Sequence, residues 1–136
     1  MILPFLQEDK TLNKELKRGT LELAILAILA RGDIYGYELA SMLAAESDGC
    51  LAVKEGTLYP LLHRLEDAGC IVSYWETEPR GVPRKYYHLT PTGREYLHNL
   101  AVEWALLASK MDGILARAGL AVNTAGLDGG AGTTGA

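Results

Sequence analysis

The stretch that decides the fold runs from Lys54 to Arg94 and reads KEGTLYPLLHRLEDAGCIVSYWETEPRGVPRKYYHLTPTGR. Its first part predicts an amphipathic helix that Gly69 ends, because four leucines recur on one helix face: Leu58, Leu61, Leu62 and Leu65. The segments IVSYWETE and RKYYHLT follow, rich in β-branched and aromatic residues, and the loop PRGVP between them predicts a hairpin turn. A short helix followed by a β-hairpin is the order of a winged helix.

A winged helix places its third helix in the DNA major groove and its hairpin loop against the flanking backbone. The polar outer face of the predicted helix therefore supplies candidate DNA contacts, which are Lys54, Thr57, Tyr59, His63 and Arg64. The hairpin adds candidate phosphate contacts at Arg80, Arg84 and Lys85, and the segment from Pro79 to Arg94 contains no acidic residue. From the residues alone, a solvated hairpin of ordinary surface polarity is the alternative.

Two helices are expected before the third. The first should begin at Thr20, a suitable N-cap, and run to about Ala30. Asp33 is expected to cap the second, which ends in the turn formers at Ser47–Gly49. Two short helices joined by that turn predict a helix-turn-helix. The start of the third helix stays open, because Pro60 fits a beginning near residue 57 better than one near residue 54.

A long helix is expected to follow the hairpin. Thr90 and Pro91 form a favourable N-cap and N1 pair, and the helical pattern continues to about Arg117. Its apolar residues repeat as an a/d heptad at Leu97, Leu100, Trp104, Leu107, Met111 and Ile114. Such a stripe requires a facing helix, and a two-fold homodimer is the expected source. The alternative is that the stripe packs on its own domain.

The predicted fold class is therefore mostly α with a small β-hairpin: a winged helix-turn-helix plus a long C-terminal dimerisation helix. This interpretation divides the chain into an N-terminal arm (1–15), a winged-helix domain (16–90), the dimerisation helix (91–118) and a flexible tail rich in glycine, alanine and threonine (119–136).

Composition indicates a single cytoplasmic domain. The chain has 136 residues, of which 49% are hydrophobic and 22% charged, as in an ordinary globular protein. Cys50 and Cys70 fit neither a CxxC pair nor a disulfide framework, which favours a reducing compartment. The longest apolar run, Leu21–Ala30, falls well short of the roughly 20 residues that a membrane span requires. We therefore expect a cytoplasmic protein without a membrane partner.

Several chemical functions find no support in the sequence. The three histidines lack metal-ligand spacing with the cysteines, so no metal site is expected. The chain contains no Gly-rich phosphate loop, HExxH or GxSxG motif, and we expect neither an enzyme nor a cofactor. Of the two tryptophans, Trp75 is expected in the core. For Trp104, packing in the core and stacking on a ligand are equally favoured interpretations.

The motifs GTLELAILAILARGDIYGYELASML, VKEGTLYPLLHRLEDAGCIVSYWE and GVPRKYYHLTPTG occur in this order over about Leu16–Leu115. In this order they resemble the PadR family of transcriptional regulators, most closely its short subgroup with one C-terminal helix. The resemblance implies a homodimeric winged-helix repressor that binds an operator in double-stranded DNA and often releases it on binding a small molecule.

The same resemblance implies an effector site. In multidrug-binding members a tryptophan on the C-terminal helix stacks on flat aromatic ligands at the dimer interface, and Trp104 stands at the matching place. The candidate ligand-binding residues are thus Trp104, Leu100, Leu107 and Met111. A different class of function, a winged-helix protein-interaction module without specific DNA binding, is favoured by the net charge of −4 and the pI near 5.3.

Overall fold

The computed structural model describes residues 14–77, 79 and 81–120. In this part of the chain the elements are α1 (Lys14–Leu29), β1 (Ile34–Tyr35), α2 (Gly36–Glu46), α3 (Glu55–Asp67), β2 (Ile71–Glu76), β3 (Arg84–Leu89) and α4 (Pro91–Arg117). The predicted fold, mostly helical and of the winged helix-turn-helix type, is confirmed. Most of the predicted arm and tail lies outside the described residues.

The first helix is longer than predicted. It begins at Lys14 rather than Thr20, because the segment KELKRG consists mainly of good helix formers. Thr20 therefore lies inside α1, and its prediction as the N-cap is wrong. The apolar residues of α1 supply much of the core, since Leu21, Ile25, Leu26, Ile28 and Leu29 are buried.

The second helix begins without the predicted cap. α2 starts at Gly36, with Tyr35 in the N-cap position and no side-chain hydrogen bond to the helix. Asp33 instead precedes a two-residue strand, β1, that the sequence pattern did not indicate, and its carboxylate binds side chains of the sheet. The turn after α2 follows the prediction, because Asp48 and Gly49 have φ values of 52° and 88°.

The structure resolves where the third helix starts. α3 begins at Glu55, with Lys54 in the N-cap position, so Pro60 lies inside the helix. The absent N–H of Pro60 leaves the carbonyl of Gly56 without its helical donor, and the exposure of Gly56 allows water to take that place. The predicted apolar face is confirmed, because its four leucines are buried: Leu58, Leu61, Leu62 and Leu65.

The three strands form an antiparallel sheet in the order β1-β3-β2. The hairpin pairs Ile71 with Leu89 at its base and Glu76 with Arg84 near its loop. One face of the sheet belongs to the core, as the burial of Ile34, Ile71, Tyr87 and Leu89 shows. The opposite face carries aromatic rings, with Tyr74 stacked on Tyr86 at 5.7 Å between ring centroids.

The fourth helix begins as predicted. The hydroxyl oxygen of Thr90 accepts a hydrogen bond from the Gly93 amide at 3.0 Å, which confirms Thr90 as the N-cap. α4 ends at Arg117, the predicted end. The chain divides into two compact units, residues 1–98 and 99–136, so most of α4 belongs to the second unit. No helix in the described residues is long and apolar enough to cross a membrane.

Candidate nucleic-acid interface

The predicted recognition residues of α3 are all exposed. Lys54 is the N-cap and Thr57 lies in the first turn, and both side chains are exposed. His63 is also accessible, but its Nε2 lies 3.7 Å from a carboxylate oxygen of Asp67 one turn later. Tyr59 is 41% exposed even though its ring packs against the chain at the start of α2. The outer face of α3 therefore presents polar groups of mixed charge.

A cleft of about 310 Å³ lies between Tyr59 of α3 and the hairpin, beside the junction of β1 and α2. It is lined by Tyr35, Gly36, Tyr37, Tyr59, Trp75, Arg84 and Lys85. Four of its seven lining residues are aromatic and two are cationic, a combination that suits contact with a sugar-phosphate backbone. Of the predicted contacts, Tyr59 on α3 and Arg84 and Lys85 on the hairpin are thus brought to one surface.

Two of the predicted hairpin cations lie over tyrosine rings. The guanidinium carbon of Arg84 is 4.6 Å from the ring centroid of Tyr35, and the Lys85 ammonium is 5.9 Å from that of Tyr87. These cation–π contacts orient the side chains without neutralising their charge. The third predicted cation, Arg80, lies outside the described residues.

Arg64 is placed differently from the other candidates. Its guanidinium donates to a carboxylate oxygen of Glu22 on α1 at 3.1 Å, and the Tyr96 hydroxyl donates to the other oxygen at 3.0 Å. Glu22 thereby connects α1, α3 and the first part of α4. The Arg64 side chain is 68% exposed and that of Glu22 is 24% exposed, so the pair remains open to solvent on the arginine side.

Sequence reasoning missed three aromatic residues of this surface, Tyr35, Tyr37 and Trp75. Trp75, expected in the core, is 64% exposed, and Tyr37 is exposed as well. Trp75 pairs with Lys85 near the loop end of the hairpin, beyond the part of the sheet that the helices cover. The position of Trp75 four residues before the loop segment PRGVP was the available signal, because the tip of a hairpin extends past the core.

A polar network lies at the start of β1. The Asp33 carboxylate accepts a hydrogen bond from the Tyr74 hydroxyl at 2.8 Å, and its other oxygen lies 2.8 Å from His88 Nδ1. Burial raises the pKa of Asp33, but the hydrogen bonds from His88 and Tyr74 outweigh it, and the pKa is lowered. The same bond to Asp33 raises the pKa of Tyr74 to about 12. This network links β1 to both strands of the hairpin.

The side chains of the α4 heptad stripe are largely exposed to solvent. Trp104 is 47% exposed, and Leu107, Met111 and Ile114 are exposed to a similar extent. Leu97 and Leu100, at the beginning of the stripe, are half-buried. Within the second unit, the predicted residues Leu100, Trp104, Leu107, Met111 and Ile114 therefore form an apolar strip along the helix.

The cysteines and other candidate metal ligands are dispersed. Within the described residues no three side chains of His, Cys, Asp or Glu are grouped as a metal site. Cys70 is buried, and burial raises the pKa of its thiol. Cys50 is half-buried in the turn after α2. The buried Cys70 is therefore poorly placed for the thiolate chemistry of a redox site.

The helix-turn-helix, together with the hairpin and its aromatic, cation-lined cleft, defines a winged-helix regulator of transcription. The family described as "Transcriptional regulator PadR-like family" matches residues 25–99, more than half of the chain. This protein belongs to the PadR-like family of transcriptional regulators.

Individual relatives agree with that membership. The negative transcriptional regulator PadR of Bacillus subtilis is 32% identical over 79 residues, 58% of this chain and 43% of that protein. A transcriptional regulator of Mycobacterium tuberculosis is 37% identical over 84 residues, 62% of this chain and 75% of that protein. The structure of a transcriptional regulator from Clostridium thermocellum is similar with a TM-score of 0.67 and 35% identity, covering 73% of this chain and 96% of that one.

Proposed function

We propose that this protein is a cytoplasmic homodimeric repressor that binds an inverted-repeat operator and changes its operator affinity when it binds a planar aromatic effector. The observation that carries the proposal is the cleft between α3 and the hairpin, where Tyr59, Trp75 and Lys85 share one exposed surface. Family membership supports a role in transcription, and the name of the Bacillus subtilis relative, a negative regulator, supports repression. No catalytic step is part of this proposal.

DNA binding divides between the two elements of this surface. The α3 candidates Lys54, Thr57, Tyr59, His63 and Arg64 enter the major groove, where base edges are read. The hairpin cations Arg80, Arg84 and Lys85 contact flanking phosphates, which fixes the position of α3 without reading sequence.

The DNA proposal is tested by fluorescence anisotropy with a duplex from the promoter region of the chain's own gene. A scrambled duplex of the same composition is the matched control. Operator binding at least about a thousandfold tighter than binding to the control is expected of a specific regulator. Equal affinities for both duplexes would instead support the second candidate, a protein-interaction module, which the net charge of −4 favours.

Dimerisation through the α4 stripe is the second part of the proposal. An exposed apolar strip with a seven-residue repeat is stabilised by a facing helix, and a two-fold pair presents two copies of α3 to the DNA. The operator half-sites should then be one or two helical turns apart, or about 34–36 Å per turn. The proposed contact residues are Leu97, Leu100, Trp104, Leu107, Met111 and Ile114.

Sedimentation equilibrium tests this dimer. The change Leu100→Glu plus Leu107→Glu should give a monomer, because it buries two carboxylates in the apolar seam. Val102→Glu plus Leu106→Glu is the matched control, since both residues are exposed on α4 but lie outside the heptad positions. A monomeric wild type, or equal effects of the two changes, would contradict this seam.

The effector site is the third part. The indole of Trp104 offers a flat apolar surface beside Leu100, Leu107 and Met111, and a planar ligand stacks on such a ring at centroid distances of about 4.5–7 Å. A ligand that prefers one spacing of the two α4 helices changes DNA affinity by the same factor by which DNA changes ligand affinity.

The fluorescence of Trp104 can be isolated, because the chain has two tryptophans and Trp75→Phe leaves only this one. A planar aromatic dye that does not itself bind duplex DNA should quench the remaining emission and change operator affinity. Trp104→Ala should abolish both effects. If the Trp104→Ala variant kept full dye binding and a full change in operator affinity, the effector site would lie elsewhere.

A further inference from the structure

Tyr59 lies with its ring against the backbone of Gly36, the first residue of α2. A Cβ atom at residue 36 would clash with the Tyr59 hydroxyl oxygen and would lie 3.0 Å from both Cε1 and Cζ of the ring. Gly36 does not adopt a positive φ, so its backbone conformation is open to any residue. The space occupied by Tyr59 is therefore what makes a glycine necessary here.

The contact with Gly36 fixes where the Tyr59 side chain points. Tyr59 belongs to α3, yet its ring reaches the start of α2 and forms a wall of the cleft that also contains Trp75 and Lys85. Among the described residues the Tyr59 hydroxyl has no hydrogen-bond partner. A partly exposed phenol in a cleft with a lysine is placed to donate to a phosphate oxygen.

We propose that Gly36 is a positioning residue for DNA binding, which acts by leaving room for Tyr59 to hold its hydroxyl in the cleft between α3 and the hairpin. The inference rests on the proposed DNA-binding function. Its physical basis is preorganisation: a ring already held in its bound rotamer loses less conformational entropy when DNA arrives. An added methyl group at residue 36 would push the hydroxyl out of place without removing it.

A double-mutant cycle on operator affinity tests this role. Gly36→Ala should lower affinity about tenfold, the value of one hydrogen bond to a charged group. Tyr59→Phe should lower it by a similar factor, because the hydroxyl is lost. In the Tyr59→Phe background the atom nearest the new methyl group is absent, so Gly36→Ala should change affinity by less than about twofold. Gly19→Ala is the matched control, since its Cβ would meet nothing within 4 Å.

Stability is measured in parallel by urea unfolding, so that loss of fold is separated from loss of binding. If Gly36→Ala does not fold alone, the double variant with Tyr59→Phe still tests the proposal, and its affinity should equal that of Tyr59→Phe. Independent, additive losses in the cycle would overturn the role of Gly36 while leaving DNA binding established. Absence of specific binding by the wild type would overturn the proposed function itself.

Discussion

Replacing Arg64 with alanine gives a direct test of α3 as the reading helix. A bidentate arginine contact to guanine provides about 1–3 kcal/mol of discrimination. To make that contact Arg64 must leave Glu22, and an ion pair this exposed contributes only about 0.2–1 kcal/mol. The base contact is the larger energy, so we expect Arg64→Ala to weaken operator binding by about 1–2 kcal/mol, or roughly 5–30-fold.

The assay is an anisotropy titration at fixed salt with the operator and with a scrambled duplex. A reading residue affects the operator alone, whereas a phosphate contact affects both duplexes equally. If Arg64→Ala leaves operator affinity unchanged, or weakens both duplexes equally, Arg64 does not read bases. Its place would then be structural, in the ion pair that joins α3 to α1.

Glu22→Gln is the complementary change. It removes the charge that holds Arg64 but keeps an oxygen to accept the Tyr96 hydroxyl bond. If Arg64 leaves Glu22 on binding, the variant no longer loses this ion pair, and operator affinity should rise by about 0.2–1 kcal/mol. Weaker operator binding by both Glu22→Gln and Arg64→Ala would indicate that the pair supports α3 in its bound position.

Three further outcomes are expected. Lys85→Ala should weaken all DNA sequences alike and reduce the salt slope of binding by about 1, whereas an effect on the operator alone would exclude a phosphate contact. Gly93→Ala should lower the free energy of unfolding by about 1–3 kcal/mol, because its Cβ would press on the Cys70 carbonyl. Gly113→Ala in the same helix should raise that free energy by about 0.5–1 kcal/mol. Urea unfolding measures both changes, and a change in the same direction for both variants would contradict this packing. Asp33→Asn should lower that free energy by about 1 kcal/mol at pH 7. The pKa of Asp33 is lower in the folded protein than its unfolded value of 3.8. The extra stability of the wild type over Asp33→Asn is therefore complete above pH 3.8 and disappears as the pH falls through the lower folded pKa. If the difference in stability persisted in acid, the ionised carboxylate would not be its cause.

Elements marked by a regular apolar spacing or by a capping residue were predictable from sequence. The four leucines of α3 form one apolar face, and the Thr90 cap marks the start of α4, because both signals depend only on neighbours within a few residues. β1 was not predictable in this way. It has two residues and no alternation to detect, and it forms because Ile34 and Tyr35 pair with β3 more than 50 residues later.

The candidate site was predicted only in part: Tyr59, Arg84 and Lys85 were identified from the sequence, but the other cleft residues and the side-chain contacts were not. Polar spacing on α3 identifies which side chains are exposed, yet it carries no information on the Glu22–Arg64 pair, which joins residues 42 apart. Alternation along β2 assigns Trp75 to the same face as Ile71, and that face is buried only as far as the helices extend. How far a core extends along a strand depends on tertiary packing, which a local pattern does not contain.

The net charge of −4 is a poor guide to the charge that DNA would meet. In the described residues several acidic side chains are bound to local partners, as in Glu22 with Arg64, Glu46 with Arg31, and Asp33 with His88. Arg84 and Lys85 lie over tyrosine rings instead, and a ring leaves the formal charge in place. Charges more than about 8–10 Å away are largely screened at physiological salt. A phosphate at the hairpin would therefore experience Arg84, Lys85 and the opposite carboxylate of Glu76 more strongly than the distant acids. The salt slope of binding, rather than the isoelectric point, measures this surface.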